Sequence, residues 1–95
     1  MRKYESMVIA RPELGDADVA KLAERFKGVI EGLGGTVQTA EKWEKRKLTY
    51  EIDGCKEGNY IMFEFECKPE VPREVDRLMG ISDDIIRHRI FSKED

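Results

Sequence analysis

The segment from Asp16 to Gly35, DADVAKLAERFKGVIEGLGG, decides the fold of this 95-residue chain because it is the clearest amphipathic helix in the sequence. Its apolar side chains recur every three or four residues, which places them on one face of a helix: Val19, Leu22, Ala23, Phe26, Val29, Ile30 and Leu33. Asp16 is a suitable N-cap, and Gly34-Gly35 supplies residues that close a helix. An apolar helix face has to be buried against a second layer, and the flanking segments show what that layer is.

Strand periodicity occurs on both sides of this helix. Arg2 to Ala10 alternates between two sets of side chains, one with Tyr4, Ser6, Val8 and Ala10 and the other with Lys3, Glu5, Met7 and Ile9. Thr36 to Ile52 is predicted to be a long second strand, with Leu48, Tyr50 and Ile52 on one face. Asp53-Gly54 and the segment Lys56 to Gly58 predict a hairpin turn, after which Tyr60 to Cys67 returns as the partner strand.

The remainder of the chain predicts a second helix and a last strand. Pro69 and Pro72 permit a short helix that ends at Gly80 and carries Val71, Val75, Leu78 and Met79. Ile85 to Phe91 is the last strand. The order βαββαβ predicts an α+β fold of the ferredoxin-like split βαβ type, in which a four-stranded antiparallel sheet has both helices on one face. We expect residues 1–95 to form a single domain, whose open sheet face is solvated, covered by a partner, or used to bind a ligand.

Composition limits the functions that this domain can have. The chain has 17 basic and 20 acidic residues and a net charge of −3, so any nucleic-acid contact has to come from local clusters of cations. No apolar run is long enough to span a membrane, and MRKYES is unlike a signal peptide, so we expect a cytoplasmic protein without a membrane partner. The predicted strand between Cys55 and Cys67 would hold them too far apart for a disulfide.

An enzymatic function finds little support in the sequence. Glycine patterns that cradle phosphate are missing, and His88 is a lone histidine that alternates with Ile86 and Ile90, as a packed or pairing residue would. The same fold class includes acylphosphatase, whose activity is the alternative function for this chain. That activity needs an anion-binding loop with an arginine after the first strand, whereas ARPELGDAD surrounds its arginine with three carboxylates. We therefore predict no catalytic residues, no metal, no cofactor and no small-molecule substrate.

Clusters of cations remain as candidate functional groups. We predict RNA phosphate contacts for Arg2, Lys3, Lys42, Lys45, Arg46, Lys47, Arg87 and Arg89. A solvated strand face or an edge guarded by lysines explains the same charges equally well. Stacking of bases on the third strand is not expected, because Phe63 and Phe65 alternate together with aliphatic residues, as core side chains do.

Five segments in order resemble the family of the sixth protein of the bacterial small ribosomal subunit: MRKYE, RPEL before the long helix, KWEKRKLTYEI, EGNY and DDIIRH. The resemblance covers residues 1 to about 91. It implies the split βαβ fold, a structural and non-catalytic role in the ribosome, and binding to small-subunit (16S) rRNA. It also implies a heterodimer with the eighteenth small-subunit protein, a basic ribosomal protein.

The family pattern is carried by particular positions. Those that match it are Arg2, Tyr4, Glu5, Trp43, Arg46, Leu48, Tyr50, Gly58, Tyr60 and Arg87. Those that depart from it are Glu44 for glycine, Thr49 for alanine, Glu51 for proline and Asn59 for an aromatic residue. We predict a protein-partner surface that consists of Met7, Ile9, Trp43 and Tyr60, in which Met7 and Ile9 are exposed apolar residues of the open face.

Overall fold

A computed structural model describes residues 1–93, and its elements occur in the predicted order. They are β1 Arg2–Ala10, α1 Asp16–Gly32, β2 Thr36–Ile52, β3 Cys55–Cys67, α2 Val71–Gly80 and β4 Ile85–Ser92. The strands form one sheet in the order β2-β3-β1-β4, and all three pairings are antiparallel. The predicted ferredoxin-like βαββαβ fold is confirmed. The last two residues of the predicted domain 1–95 lie outside the described residues.

The core lies between one face of the sheet and both helices. The stripe of α1 buries Phe26 and Ile30 completely, but Leu33, which was expected to belong to it, is 40% exposed. Alternation in β3 holds as predicted, since Phe63 and Phe65 are each 1% exposed and lie in the same apolar cluster as α1 and α2. The helices cover the side of the sheet that carries Val8, Phe63 and Phe65, and the opposite sheet face has no helix over it.

The ends of α1 show which local signals operate. The N-cap residue is Gly15, and no side chain donates or accepts a capping hydrogen bond there. Asp16 is the first residue of the helix, so the prediction that it is the N-cap is wrong. The Asp16 carboxylate instead lies 3.2 Å from the ammonium group of Lys42. At the other end, Gly34 has a φ of 91°, and the amides of Gly34 and Gly35 donate to the carbonyls of Glu31 and Ile30. This arrangement is a Schellman motif, and it turns the chain into β2.

The β2–β3 hairpin is longer than predicted. Asp53 and Gly54 form a two-residue turn with φ values of 49° and 77°, so β3 begins at Cys55 and the predicted start at Tyr60 is wrong. The hairpin extends past the end of β1, whose last residue pairs with Asn59. Both cysteines are free, as expected.

The outer part of this hairpin reaches the far edge of the sheet. The guanidinium Nη1 of Arg87 in β4 donates a hydrogen bond to the hydroxyl of Tyr50 in β2, at 3.1 Å. These strands are the two edges of the sheet and are separated by three strand spacings, about 14 Å. The contact therefore requires the hairpin to curve toward β4 beyond the end of β1.

Candidate nucleic-acid interface

The strand registers define the open face of the sheet. Residues that pair across antiparallel strands project to the same side, so each row can be followed from strand to strand. One row contains Tyr60, Ile9 and Arg87, and the next contains Glu41, Met62, Met7 and Arg89. These rows place Met7, Ile9 and Tyr60 of the predicted partner surface on the same side of the sheet as two of the predicted RNA-binding arginines, Arg87 and Arg89.

Arg46 joins this surface through an irregularity in β2. The register changes by one residue between Lys42, which pairs with Ile61, and Lys45, which pairs with Asn59. Beyond this bulge Arg46 lies opposite Gly58, and its Cζ is 4.9 Å from the ring centroid of Trp43 and 5.8 Å from that of Tyr60. Exposed cation–π contacts contribute about 0.5–1 kcal/mol each, enough to favour this orientation of the guanidinium group.

The two arginines of β4 also have aromatic neighbours. Arg87 bonds to the hydroxyl of Tyr50, and Cζ of Arg89 lies 5.1 Å from the ring centroid of Phe91. Tyr50 is 62% exposed and Phe91 is 40% exposed, so these rings are part of the surface rather than the core. Tyr50 is therefore a surface residue of β2. We call Trp43, Arg46, Tyr60, Arg87, Arg89 and Phe91 the arginine–aromatic surface.

Gly58 allows the β2–β3 hairpin to approach β1 closely. A Cβ atom at this position would overlap Cγ2 of Ile9 and would lie 3.2 Å from the carbonyl oxygen of Ala10 and 3.7 Å from Cδ1 of Ile86. This contact covers Ile9, which is 8% exposed, so the prediction of an exposed Ile9 is wrong. Met7, by contrast, is half-buried and accessible on the open face.

The predicted cation cluster of Lys42 to Lys47 is divided between two sides of the sheet. Lys42 and Lys45 pair with residues of the helix-covered face and line a groove beside the first turn of α1. Lys42 is also engaged by Asp16. Lys47 lies opposite Glu57 in the outer hairpin. The cations of this segment therefore do not form one patch, and the open face receives Arg46.

The first residues of the chain are divided in the same way. Arg2 pairs with Cys67, on the helix-covered side, and Lys3 pairs with Glu66 on the open side, where their charged groups are 3.9 Å apart. Near Lys3, the ammonium group of Lys93 lies 3.0 Å from Glu64 and 3.9 Å from Glu5. The hydrogen bond to Glu64 raises the pKa of Lys93 above its ordinary value. This end of the open face is a network of paired charges, unlike the arginine–aromatic surface.

The residues that could have served enzymatic chemistry have structural contacts. Nε of Arg11 donates to the carbonyl of Asp83 at 2.6 Å, so the arginine after β1 tethers the loop before β4. Nε2 of His88 lies 2.9 Å from Oδ1 of Asp76, which agrees with its interpretation as a pairing residue. Among residues 1–93, no group of three or more histidine, cysteine or acidic side chains is arranged to hold a metal.

Comparison with known proteins identifies the same family that the five sequence segments resemble. The profile of the family described as ribosomal protein S6 matches residues 3–92. The chain belongs to the ribosomal protein S6 family. It is 50% identical over 94 residues to the small ribosomal subunit protein bS6 of Clostridium perfringens, which covers 99% of both chains. It is 47% identical over 91 residues to the protein of the same name from Desulforamulus reducens, which covers 96% of both.

Solved structures agree with the S6 assignment. The crystal structure of 30S ribosomal protein S6 from Thermotoga maritima has a TM-score of 0.91 at 32% identity and covers 97% of this chain and 87% of that one. The C-terminal domain of the MgtC protein from Mycobacterium tuberculosis has a TM-score of 0.62 at 9% identity, which shows a shared fold alone.

The family assignment confirms the predicted structural and non-catalytic role in the small ribosomal subunit. An S6-family chain is a structural protein of the small ribosomal subunit rather than an enzyme, and the ribosome lies in the bacterial cytoplasm. The acylphosphatase alternative is unsupported. Within residues 1–93, no helix is long and apolar enough to cross a membrane.

Sequence reasoning missed Phe91 of the arginine–aromatic surface and the contact that Tyr50 makes with Arg87. Arg87, Arg89 and Phe91 occupy every second position of β4 and therefore share one face of the sheet. The sequence pattern alone predicts that Phe91 lies beside the two arginines. Tyr50 gave no such signal, because its contact with Arg87 depends on the curvature of the hairpin rather than on alternation.

Proposed function

We propose that this S6-family protein binds small-subunit (16S) rRNA in a heterodimer with the eighteenth small-subunit protein. The RNA lies against the end of the open sheet face that carries Arg46, Arg87 and Arg89, which we call the arginine end. The observation that supports this proposal is the convergence of Arg46, Arg87 and Arg89 on one exposed face, although the chain as a whole carries a net charge of −3. Guanidinium groups on a strand face contact phosphates without needing base edges, so they position an RNA segment.

Not every predicted cation contributes equally in this proposal. Arg46, Arg87 and Arg89 share the open face and make the main phosphate contacts. Peripheral contacts come from Arg2, Lys3, Lys42, Lys45 and Lys47. Several of these have acidic neighbours within the chain, such as Asp16 beside Lys42, which reduces what they offer to a phosphate.

The protein partner supplies the charge that this chain lacks. Met7, Trp43 and Tyr60 form its contact surface, and Ile9 supports that surface from beneath Gly58. A basic partner docked beside the arginines adds its own phosphate contacts in the same rigid frame. The second set of contacts then engages at high effective concentration, so the pair binds RNA more tightly than either chain.

The test is the salt dependence of binding to a small-subunit rRNA fragment by the heterodimer. Changing Arg46 and Lys47 to alanine should reduce the slope of log K against log salt by about 0.9 for each phosphate that the protein no longer neutralises. The matched control changes Lys21 and Arg25 of α1, which removes the same charge from the helix side, and should leave the slope close to that of the wild type. An unchanged slope in the Arg46/Lys47 variant contradicts the proposed site.

A further inference from the structure

Arg87 is an exposed arginine that is oriented by a neutral group rather than by a carboxylate. Among residues 1–93 it makes no ion pair, and its Nη1 donates a hydrogen bond to the hydroxyl of Tyr50 at 3.1 Å. Arg77 of α2 shows the contrast, since it bonds to both carboxylate oxygens of Glu74, at 2.6 and 2.9 Å. A carboxylate neutralises the arginine that it orients, whereas a phenol hydroxyl leaves the positive charge of Arg87 intact.

The hydroxyl of Tyr50 still has a hydrogen to donate. A phenol hydroxyl can accept and donate at the same time, and the guanidinium group has further N–H donors but no acceptor. Arg87 is the partner of this hydroxyl within residues 1–93, and the Tyr50 side chain is exposed. Toward a ligand, the two side chains therefore present a positive charge and a neutral hydrogen-bond donor next to each other.

The outer hairpin does not cancel the charge of Arg87. Its segment from Arg46 to Gly58 has three cations and three carboxylates, so its own charge sums to zero. These residues are Arg46, Lys47, Lys56, Glu51, Asp53 and Glu57. The strand β4 adds Arg87 and Arg89 and contains no carboxylate between Ile85 and Ser92.

The other carboxylates around this end of the sheet have different neighbours. Asp83 and Asp84 precede β4, and Arg11 bonds to the backbone carbonyls of both. Glu44 lies in the bulge of β2 opposite Tyr60, so β3 and β1 separate it from Arg87. The positive charge beside Tyr50 is thus free for an anion, and charge-assisted hydrogen bonds to a phosphate suit both donors.

We infer that Tyr50 and Arg87 together bind one phosphate of the RNA, with Arg87 supplying the charge and Tyr50 donating its hydroxyl hydrogen to a phosphate oxygen. This inference rests on the proposed function and adds to it a neutral contact residue from the outer hairpin. It uses neither Trp43 nor Tyr60, which contact the protein partner. Since Tyr50 and Arg87 lie on the two edge strands, the phosphate site depends on the curvature of the hairpin.

The experiment compares Tyr50→Phe with Arg87→Ala in the heterodimer, titrated with a labelled small-subunit rRNA fragment at several salt concentrations. Tyr50→Phe should weaken binding about tenfold, the lower end of the range for a hydrogen bond to a charged group. The slope of log K against log salt should stay the same, because a phenol neutralises no phosphate. Arg87→Ala should weaken binding and also reduce the slope by about 0.9, the value for one phosphate.

Thr49→Val is the matched control, because it removes the hydroxyl of the exposed neighbouring residue in β2 and keeps a β-branched side chain. It should bind the rRNA fragment as the wild type does. In an Arg87→Ala background, Tyr50→Phe should lose most of its effect, because both side chains act on one phosphate. The urea midpoint of Tyr50→Phe should match that of the wild type, since Tyr50 is exposed.

Three results would overturn the inference. Wild-type affinity of Tyr50→Phe would remove its hydroxyl from the site. A tenfold loss that persists in the Arg87→Ala background would mean that Tyr50 acts apart from Arg87. Weaker binding of the basic partner by Tyr50→Phe, with unchanged RNA binding by this chain alone, would assign the two side chains to a carboxylate of that partner.

The proposed function is judged separately, by the salt slope of the Arg46/Lys47 variant. An unchanged slope there, together with the expected loss for Tyr50→Phe, would contradict the contacts of Arg46 and leave the phosphate site of Tyr50 and Arg87 standing. The expected slope for Arg46/Lys47 with wild-type affinity for Tyr50→Phe would do the reverse.

Discussion

Gly58→Ala is expected to destabilise the protein by about 1–2 kcal/mol. The added Cβ would overlap Cγ2 of Ile9, and the Ala10 carbonyl oxygen at 3.2 Å limits movement on the other side. Overpacking of this kind costs about 1–3 kcal/mol. Loss of glycine's freedom in the unfolded chain returns about 0.4–1 kcal/mol, so the net effect remains unfavourable. Since about 1 kcal/mol shifts the Tm of a domain of this size by roughly 4–8 °C, thermal and urea unfolding both resolve it.

Gly28→Ala is the matched control because a Cβ at Gly28, within α1, meets no atom within 4 Å. It should stabilise the protein by about 0.5–1 kcal/mol, the usual gain when alanine replaces glycine inside a helix. In an Ile9→Ala background, where Cγ2 is missing, Gly58→Ala should lose most of its cost. Stabilisation by Gly58→Ala in the wild-type background, similar to that of Gly28→Ala, would refute the close approach of the hairpin to β1.

Three further predictions concern separate parts of the molecule. Met7→Lys should weaken binding of the basic partner at least tenfold in a pull-down titration without weakening RNA binding by this chain alone, and unchanged partner affinity would exclude Met7 from that interface. The hydrogen bond from Arg77 lowers the pKa of the Glu74 carboxyl. The stabilisation from this pair is therefore present above the ordinary carboxyl pKa and is lost as pH falls through the lowered pKa. Glu74→Gln should be less stable than wild type in urea unfolding near neutral pH and equally stable in strong acid. Burial, followed by the charge of Glu70, raises the pKa of Cys67, so a thiol reagent at pH 8 should label it only on unfolding, as mass spectrometry would show.

Alternation and helical spacing predicted most of the fold. The bounds of β1 and β2 agree with the sequence prediction, and α1 and α2 carry the predicted apolar stripes apart from Leu33. Each of these elements buries one face, so its apolar residues have to recur with the period of a strand or of a helix. Asp16 shows the limit of such signals, because its carboxylate pairs with Lys42 rather than with the helix amides.

The candidate site was predicted less well because it depends on a bulge in β2 and on the curvature of the hairpin, which alternation does not predict. The bulge after Lys42 shifts the register, which brings Arg46 to the same surface as Trp43 although they are three residues apart. Lys56 to Gly58 resembled a turn by composition, but the turn needs only Asp53 and Gly54, and Gly58 serves the close contact with Ile9.

The most direct test of the proposed function is a titration of one labelled small-subunit rRNA fragment with this chain, with the eighteenth small-subunit protein, and with both together. The arginine end of the open face offers few phosphate contacts, so this chain alone should bind weakly at physiological salt. The two proteins together should bind more tightly than either alone, because docking places both sets of contacts in one frame. Binding by this chain alone that is as tight as binding by the pair would contradict the cooperative account.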